Sequence, residues 1–133
     1  MSNHYHALVW IDHSEAKVFH FNETDSECVL VRSTHPGQHI HHKANSGDSG
    51  HVPVDTEYLH RVTQEVSKAG AILITGPANA KAELATYIRQ HHSELATRIS
   101  GVEASDHPTD GELVAKGRKF FKADDRMHSQ RTT

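Results

Sequence analysis

A seventeen-residue segment, residues 35–51, gathers the side chains of this sequence that are best suited to bind a metal ion. We call it the histidine segment. It reads HPGQHIHHKANSGDSGH and holds five of the fourteen histidines of the chain. Three or four imidazole nitrogens suit Zn²⁺, Ni²⁺ or Cu²⁺. The spacing matches no strong metal motif, so a divalent metal here is the only cofactor candidate that the sequence offers. The candidate ligands are His35, His39, His41, His42 and His51.

Four carboxylates offer a second chemistry, metal-assisted hydrolysis of a phosphodiester. Such a site needs acidic groups that converge on two divalent ions. Asp12 follows the first predicted strand and Glu57 opens the first predicted helix. The start of the last predicted helix is flanked by Asp106 and Asp110. Aspartate is also common in turns, and the helix dipole favours an acid in the first turn of a helix. The set therefore supports a nuclease only as an alternative, with Asp12 as a weak catalytic candidate.

The net charge excludes a strongly basic protein, because 14 Lys and Arg stand against 17 Asp and Glu, a formal charge of −3. The charge is unevenly distributed, however. From residue 116 onward, six basic residues are opposed by only Asp124 and Asp125. A basic segment of this kind indicates a polyanionic partner, although solvated helix ends look the same. The basic residues are Lys116, Arg118, Lys119, Lys122, Arg126 and Arg131.

The remaining composition predicts a soluble cytoplasmic protein without a membrane partner. Cys28 is the only cysteine, which excludes an internal disulfide and fits a reducing compartment. The first residues lack the basic and apolar regions of a signal peptide. No apolar run has the length that a membrane span requires.

Three short apolar stretches near the N-terminus predict a three-stranded antiparallel meander. They cover residues 7–11, 16–21 and 28–31, and turn-forming residues separate them. We assign the large apolar side chains of the sequence, and the single cysteine, to the core rather than to a binding surface. These residues are Trp10, Phe19, Phe21, Cys28, Phe120 and Phe121.

Beyond the histidine segment the spacing of the apolar residues becomes helical. Asp55 is a good N-cap for the first helix, and Gly70 is a good stop at its C-terminus. A continuous apolar run at 71–75 then predicts a buried strand. A second helix, capped by Asn79, places three apolar residues on one face: Leu84, Ile88 and Leu95.

One strand and one helix complete the predicted domain. The strand covers residues 99–102, and a capping-box pattern at 109–112 opens the last helix. Residues 1–123 thus form one α/β domain, and residues 124–133 form a polar, flexible tail.

The predicted order βββ-α-β-α-β-α is that of the ribonuclease H-like fold, a mixed sheet with helices packed on it. The stretches HALVWIDHSEAKVFHF, CVLV, AILITGPANAKAELATYI and HPTDGELVAKGRKFF carry a narrower likeness. They resemble the middle domain of the archaeo-eukaryotic class-one release factors and Pelota, and above all small stand-alone bacterial relatives called translational machinery proteins. The resemblance covers residues 5–122.

In the release factors the loop after the third strand carries a Gly-Gly-Gln motif that promotes hydrolysis of the peptidyl ester on the ribosome. This chain has Pro36-Gly37-Gln38 in that loop, and proline lacks the backbone freedom of the first glycine. The resemblance therefore implies contact with the ribosome or rRNA rather than peptide release, with Gln38 as a weak catalytic candidate. The residues assigned to this contact are Gly37, Gln38, His39, His41, His42, Lys43, Lys116, Arg118, Lys119 and Lys122.

Three functional hypotheses follow. The leading one is a translation-associated protein that binds the ribosome or RNA without catalysis. The alternative is a metal-dependent hydrolase or nuclease of ribonuclease H-like fold. The third is a module that binds other proteins.

Overall fold

Five strands and four helices form the part of the chain that the structure describes. The structure is a computed structural model, which describes residues 6–22, 25–34 and 55–129. The strands are β1 (His6–Ile11), β2 (Glu15–Phe21), β3 (Ser26–Arg32), β4 (Ala71–Gly76) and β5 (Ile99–Ala104). The helices are α1 (Thr56–Glu65), α2 (Ala80–His91), α3 (Ser93–Ala96) and α4 (Asp110–Ser129).

The strands form one mixed sheet in the order β3-β2-β1-β4-β5. The meander β1-β2-β3 is antiparallel, and Val9 lies opposite Val18 in its first pair. On the other side of β1, strands β4 and β5 run parallel to it and to each other. The predicted fold class, a single α/β domain with a ribonuclease H-like mixed sheet, is confirmed.

Helices α1 and α2 cover one face of the sheet. Alternate residues of β1, β2 and β4 point to this face, because successive side chains of a strand project to opposite sides. Leu59 and Val62 of α1 and Leu84 and Ile88 of α2 pack against them, and each of the four is at most 3% exposed. Fully burying one such side chain stabilises the fold by roughly 1.5–3 kcal/mol. The sheet residues in this core are Ala7, Val9, Ile11, Ala16, Val18, Val31, Ile72 and Ile74.

Helix α4 packs on the opposite face. Its Leu113 and Phe121 lie against Leu8, Trp10, Phe19, Phe21 and Leu73, so the predicted core positions of Trp10, Phe19, Phe21 and Phe121 are confirmed. Phe120 is half-buried beside this core. Gly117 allows the close approach of the helix, because a Cβ atom there would lie 2.5 Å from Cζ of Phe21.

The predicted caps are confirmed at two helix starts. The Asp55 carboxylate accepts a hydrogen bond from the Tyr58 amide at 3.1 Å. The Glu112 amide donates to Oγ1 of Thr109 at 3.1 Å, and the Thr109 amide donates to Oε1 of Glu112 at 2.8 Å. This reciprocal pair is a capping box. Asn79 occupies the N-cap position of α2, but its side chain makes no capping hydrogen bond there.

Two helix ends differ from the prediction. Helix α1 ends at Glu65 rather than at Gly70, because three-residue turns such as Ala69 N–H to Val66 O, 3.0 Å, follow it and bring both residues into the core. The helix after Asn79 is interrupted at His92, whose φ of −142° and ψ of 68° are not helical. Leu95, predicted on the same face, is buried from the separate short helix α3.

Cys28 is exposed, so its predicted core position is wrong. Strand β3 lies at the edge of the sheet, and its odd-numbered residues Val29 and Val31 face α1. Cys28 and Leu30 point to the opposite face, where α4 packs over β1 rather than over β3, and Leu30 is 46% exposed.

Helix α4 continues to Ser129, past the predicted domain boundary at residue 123. The predicted tail, residues 124–133, is therefore helical over residues 124–129, and its flexibility stays a prediction. Within the described residues, none of the helices combines the length and apolar character that crossing a membrane would require.

Candidate functional site

The histidine segment lies outside the described residues, but the structure describes two residues that flank it, Ser33 and Asp55. The hydroxyl of Ser33, just after β3, donates a hydrogen bond to Oδ2 of Asp55 at 2.8 Å. The Ser33 amide donates to the Ser14 carbonyl at 2.8 Å, and the side chain is only 7% exposed. Asp55 also caps α1. We call the Ser33–Asp55 contact the clamp, because it holds together residues that are 22 positions apart.

The clamp lies at the carboxyl end of the parallel strands β1, β4 and β5. The Tyr58 hydroxyl ties α1 to this end by donating to the Asp12 carbonyl at 2.9 Å, and burial raises the pKa of Tyr58 well above its usual range. The ends of β1 and β4 are so close that a Cβ at Gly76 would overlap the Ile11 carbonyl oxygen. Ligands of open α/β sheets bind at this end, where the strand order reverses.

Eight residues of the histidine segment were assigned to metal, catalysis or RNA, and all eight lie outside the described residues. They are His35, Gly37, Gln38, His39, His41, His42, Lys43 and His51. Among the described residues, no group of three or more His, Cys, Asp or Glu side chains is arranged to hold a metal ion.

The four acids of the nuclease alternative have separate surroundings. The Asp12 carboxylate accepts hydrogen bonds from the amides of Ser14 and Glu15, both at 2.8 Å, as an aspartate in a turn does. Asp110 pairs with Lys17 Nζ at 2.9 Å. The side chains of Asp106 and Glu57 are exposed, and the described residues bring no third acid to them as a metal site would need.

The basic residues of α4 separate into two groups. Lys116 Nζ lies 2.8 Å from Glu103 Oε1 on β5, and this ion pair orients the lysine along the sheet. Arg118, Lys119 and Lys122 are exposed, and Arg118 packs over the Phe21 ring at 5.4 Å. At 100° per residue these three side chains lie within about 100° of one another on the helix. They occupy the side away from Leu113, Gly117 and Phe121, and we call them the basic arc.

Two histidine–carboxylate pairs join the sheet to α1 and α2. His20 Nε2 lies 3.2 Å from Glu65 Oε1, and His13 Nε2 lies 3.3 Å from Glu83 Oε1. The hydrogen bond to Glu83 raises the pKa of His13, with partial burial opposing it and the negative charges of Glu83 and Asp12 adding to it. The pairs help to fix the first helices on the sheet.

A groove between α1 and α2 was not found by sequence reasoning. It has a volume of about 450 Å³, and its lining includes Leu59, Glu83, Thr86, Tyr87, Gln90 and His91. A cluster of rings adjoins it: Tyr87 and His91 lie 4.5 Å apart between ring centroids, and the Tyr87 hydroxyl is 3.2 Å from His60 Nδ1. The spacing of four residues between Tyr87 and His91 indicates that both rings lie on one face of a helix. The sequence pattern does not indicate which helix packs beside that face.

No family model matches this chain, and no curated protein matches it either. Solved structures do. Pelota of Archaeoglobus fulgidus superposes with a TM-score of 0.67 at 12% identity, covering 98% of this chain and 37% of that one. Archaeal translation termination factor aRF1 superposes with a TM-score of 0.56 at 13% identity, covering 96% of this chain and 40% of that one. Pelota of Thermoplasma acidophilum superposes with a TM-score of 0.54 at 17% identity, covering 81% of this chain and 30% of that one.

These matches agree in fold with the resemblance that the sequence indicated. Each solved protein is much longer, and this chain corresponds to between 30% and 40% of its length. The chain thus resembles one part of the release-factor and Pelota proteins, and it shares the fold of that part.

Proposed function

We propose that this chain is a cytoplasmic, translation-associated protein that binds the ribosome through rRNA and does not catalyse peptide release. The fold likeness to an archaeal translation termination factor over 96% of the chain supports a role in translation. The observation that carries the proposal is the basic arc on the outer side of α4.

The basic arc is suited to a phosphate backbone. Arg118, Lys119 and Lys122 project from one rigid helix, and the described structure pairs none of the three with a carboxylate within 4 Å. Lys116 contributes less in this proposal, because Glu103 already partly neutralises it. The chain as a whole is negative, so the local charge of α4 selects the face that approaches RNA.

The histidine segment supplies the second contact in this proposal. The clamp holds Ser33 and Asp55, which flank the segment, at the carboxyl end of the parallel strands. The segment residues that bind rRNA in this proposal are Gly37, Gln38, His39, His41, His42 and Lys43. Since Pro36 stands where the release factors have glycine, purified protein should not hydrolyse peptidyl-tRNA. Hydrolysis that Gln38→Ala abolishes would contradict this part of the proposal.

Sedimentation with ribosomes through a sucrose gradient at several salt concentrations tests the proposal. Neutralising each phosphate releases counterions, so the binding constant falls with salt, with a logarithmic slope of about 0.7–0.9 per contact. Three contacts correspond to a loss of roughly 20- to 40-fold between 50 and 200 mM salt. Replacing Arg118, Lys119 and Lys122 by Ala should weaken binding and reduce the slope by about 2–3.

A charge-matched triple variant on the other face is the control. Lys68→Ala, Lys81→Ala and Arg89→Ala remove the same three charges from around α1 and α2. This variant should sediment like the wild type. Equal weakening by both variants would mean that only net charge matters, and absence from ribosomal fractions at low salt would contradict the proposal.

A further inference from the structure

The groove between α1 and α2 has the size and lining of a site for a small planar ligand. Its volume of about 450 Å³ lies within the range of 300–1,000 Å³ that is usual for ligand sites. Leu59 and Ala82 give it apolar surface, and the rings of Tyr87 and His91 border it. Leu59 is itself 3% exposed and belongs to the core, so this part of the lining is rigid.

The Tyr87 and His91 rings pack against each other beside the groove. Their centroids lie 4.5 Å apart with planes inclined by 37°, Tyr87 is half-buried and His91 is exposed. The contact of the Tyr87 hydroxyl with His60 Nδ1, 3.2 Å, orients the tyrosine from the neighbouring helix. A ring pair oriented in this way offers its outer face to another ring at a small loss of conformational entropy.

The polar groups of the groove distinguish between planar ligands. Thr86 and Gln90 offer hydrogen-bond donors and acceptors, and Glu83, whose Oε1 pairs with His13, offers its second carboxylate oxygen. The described lining residues include no lysine or arginine, so no permanently charged side chain there pairs with a phosphate. A ligand with an exocyclic amine fits this set, because a carboxylate accepts such hydrogen bonds.

We propose that this groove binds an unpaired purine base. The base stacks on the outer face of the Tyr87–His91 ring pair, its edge donates to Glu83 and Gln90, and its sugar and phosphate remain outside. Unpaired bases are commonly recognised in this way, by stacking on aromatic side chains together with hydrogen bonds to the base edge. A purine fits better than a pyrimidine because its larger ring system offers more surface for stacking on the ring pair.

The site is independent of the basic arc. Helices α1 and α2 cover one face of the sheet and α4 covers the other, so variants of one surface leave the other intact. The protein can therefore bind the ribosome without binding a purine, or bind a purine without binding the ribosome, and separate assays distinguish these two outcomes.

Saturation-transfer NMR on the full chain tests the proposal with adenosine, guanosine and uridine as probes. We expect transfer to the ring protons of adenosine and guanosine, and weaker transfer to uridine. Tyr87→Ala should weaken purine binding roughly 5- to 150-fold, the range that corresponds to 1–3 kcal/mol of stacking. Tyr87→Phe keeps the ring and should stay within about threefold of the wild type, on the same stacking argument. Arg89→Ala, on the same helix outside the lining, is the matched control.

A second variant covers the case in which Tyr87→Ala disturbs the fold. Thr86 is exposed, so Thr86→Trp can fill the groove without removing any packed atom, and it should abolish purine binding. Titration with hexa-adenylate distinguishes the two sources of the base: tighter binding than adenosine indicates single-stranded RNA, and equal binding indicates a free nucleoside. Absence of transfer at millimolar purine, equal transfer to uridine, or transfer that both groove variants leave unchanged would overturn the proposal.

Discussion

Breaking the clamp should destabilise the whole domain by an amount that the structure allows us to estimate. Asp55→Ala removes the N-cap of α1, which contributes about 0.5–2 kcal/mol in other helices. It also removes the acceptor of the Ser33 hydroxyl. A hydrogen bond contributes about 1 kcal/mol. We therefore expect a loss of about 2 kcal/mol for Asp55→Ala and about 1 kcal/mol for Ser33→Ala.

Thermal unfolding followed by circular dichroism measures these losses. For a domain of this size 1 kcal/mol corresponds to a shift of about 4 °C in Tm, so Asp55→Ala should lower Tm by about 8 °C. The double variant should lose about 1 kcal/mol less than the sum of the single losses, because both remove the same hydrogen bond. Thr34→Ala, an exposed neighbour, is the control and should leave Tm unchanged. Additive losses from Ser33→Ala and Asp55→Ala would refute a direct clamp.

Three further predictions concern single sites. Gly117→Ala should destabilise the domain by about 1–3 kcal/mol through overpacking, because its Cβ atom would lie 2.5 Å from the Phe21 ring. Gly111→Ala is the control and should be neutral or stabilising, because the nearest atom there is 4.0 Å away. The raised pKa of His13 means that its pair with Glu83 stabilises the fold fully below pH 6.5 and loses this effect as the pH rises through the folded-state pKa. Glu83→Gln should accordingly lower Tm more at pH 5.5 than at pH 8, and the same loss at both would contradict the assignment. Cys28 should react with a thiol reagent in the folded protein without prior unfolding. Because burial raises the pKa of its thiol, the reaction rate should rise over a pH range above that of an ordinary cysteine. Protection until unfolding would contradict its exposure.

The order of strands and helices along the chain could be predicted because it depends on local signals. Tight turns impose the meander β1-β2-β3, and the change from strand to helical spacing after residue 51 identifies the α/β half. The Thr109–Glu112 capping box was visible for the same reason, since both partners lie within one turn. Local pattern therefore gave the fold class and the helix starts.

The errors and omissions arose where distant residues decide the outcome. Cys28 has the apolar neighbours of a core strand, but its exposure depends on where α4 packs, which the pattern of β3 does not contain. The clamp joins Ser33 to a residue 22 positions away, and the groove needs Tyr87 and Leu59 from two helices. The sequence assigned Lys116 to RNA binding together with the three residues of the basic arc. The structure separates Lys116 from them, because it forms an ion pair with Glu103 on β5.

The clamp has a consequence for how this domain tolerates insertions and deletions. Because Ser33 and Asp55 are joined directly, the fold depends on the distance between them and not on the length of the chain that connects them. The entropy of closing a loop grows only with the logarithm of its length, so doubling the connecting segment costs about 0.6 kcal/mol. Relatives with a much longer or shorter segment at this place can therefore keep the same sheet and helices. The chain between Ser33 and Asp55 can then change in length and composition while the domain that carries it stays the same.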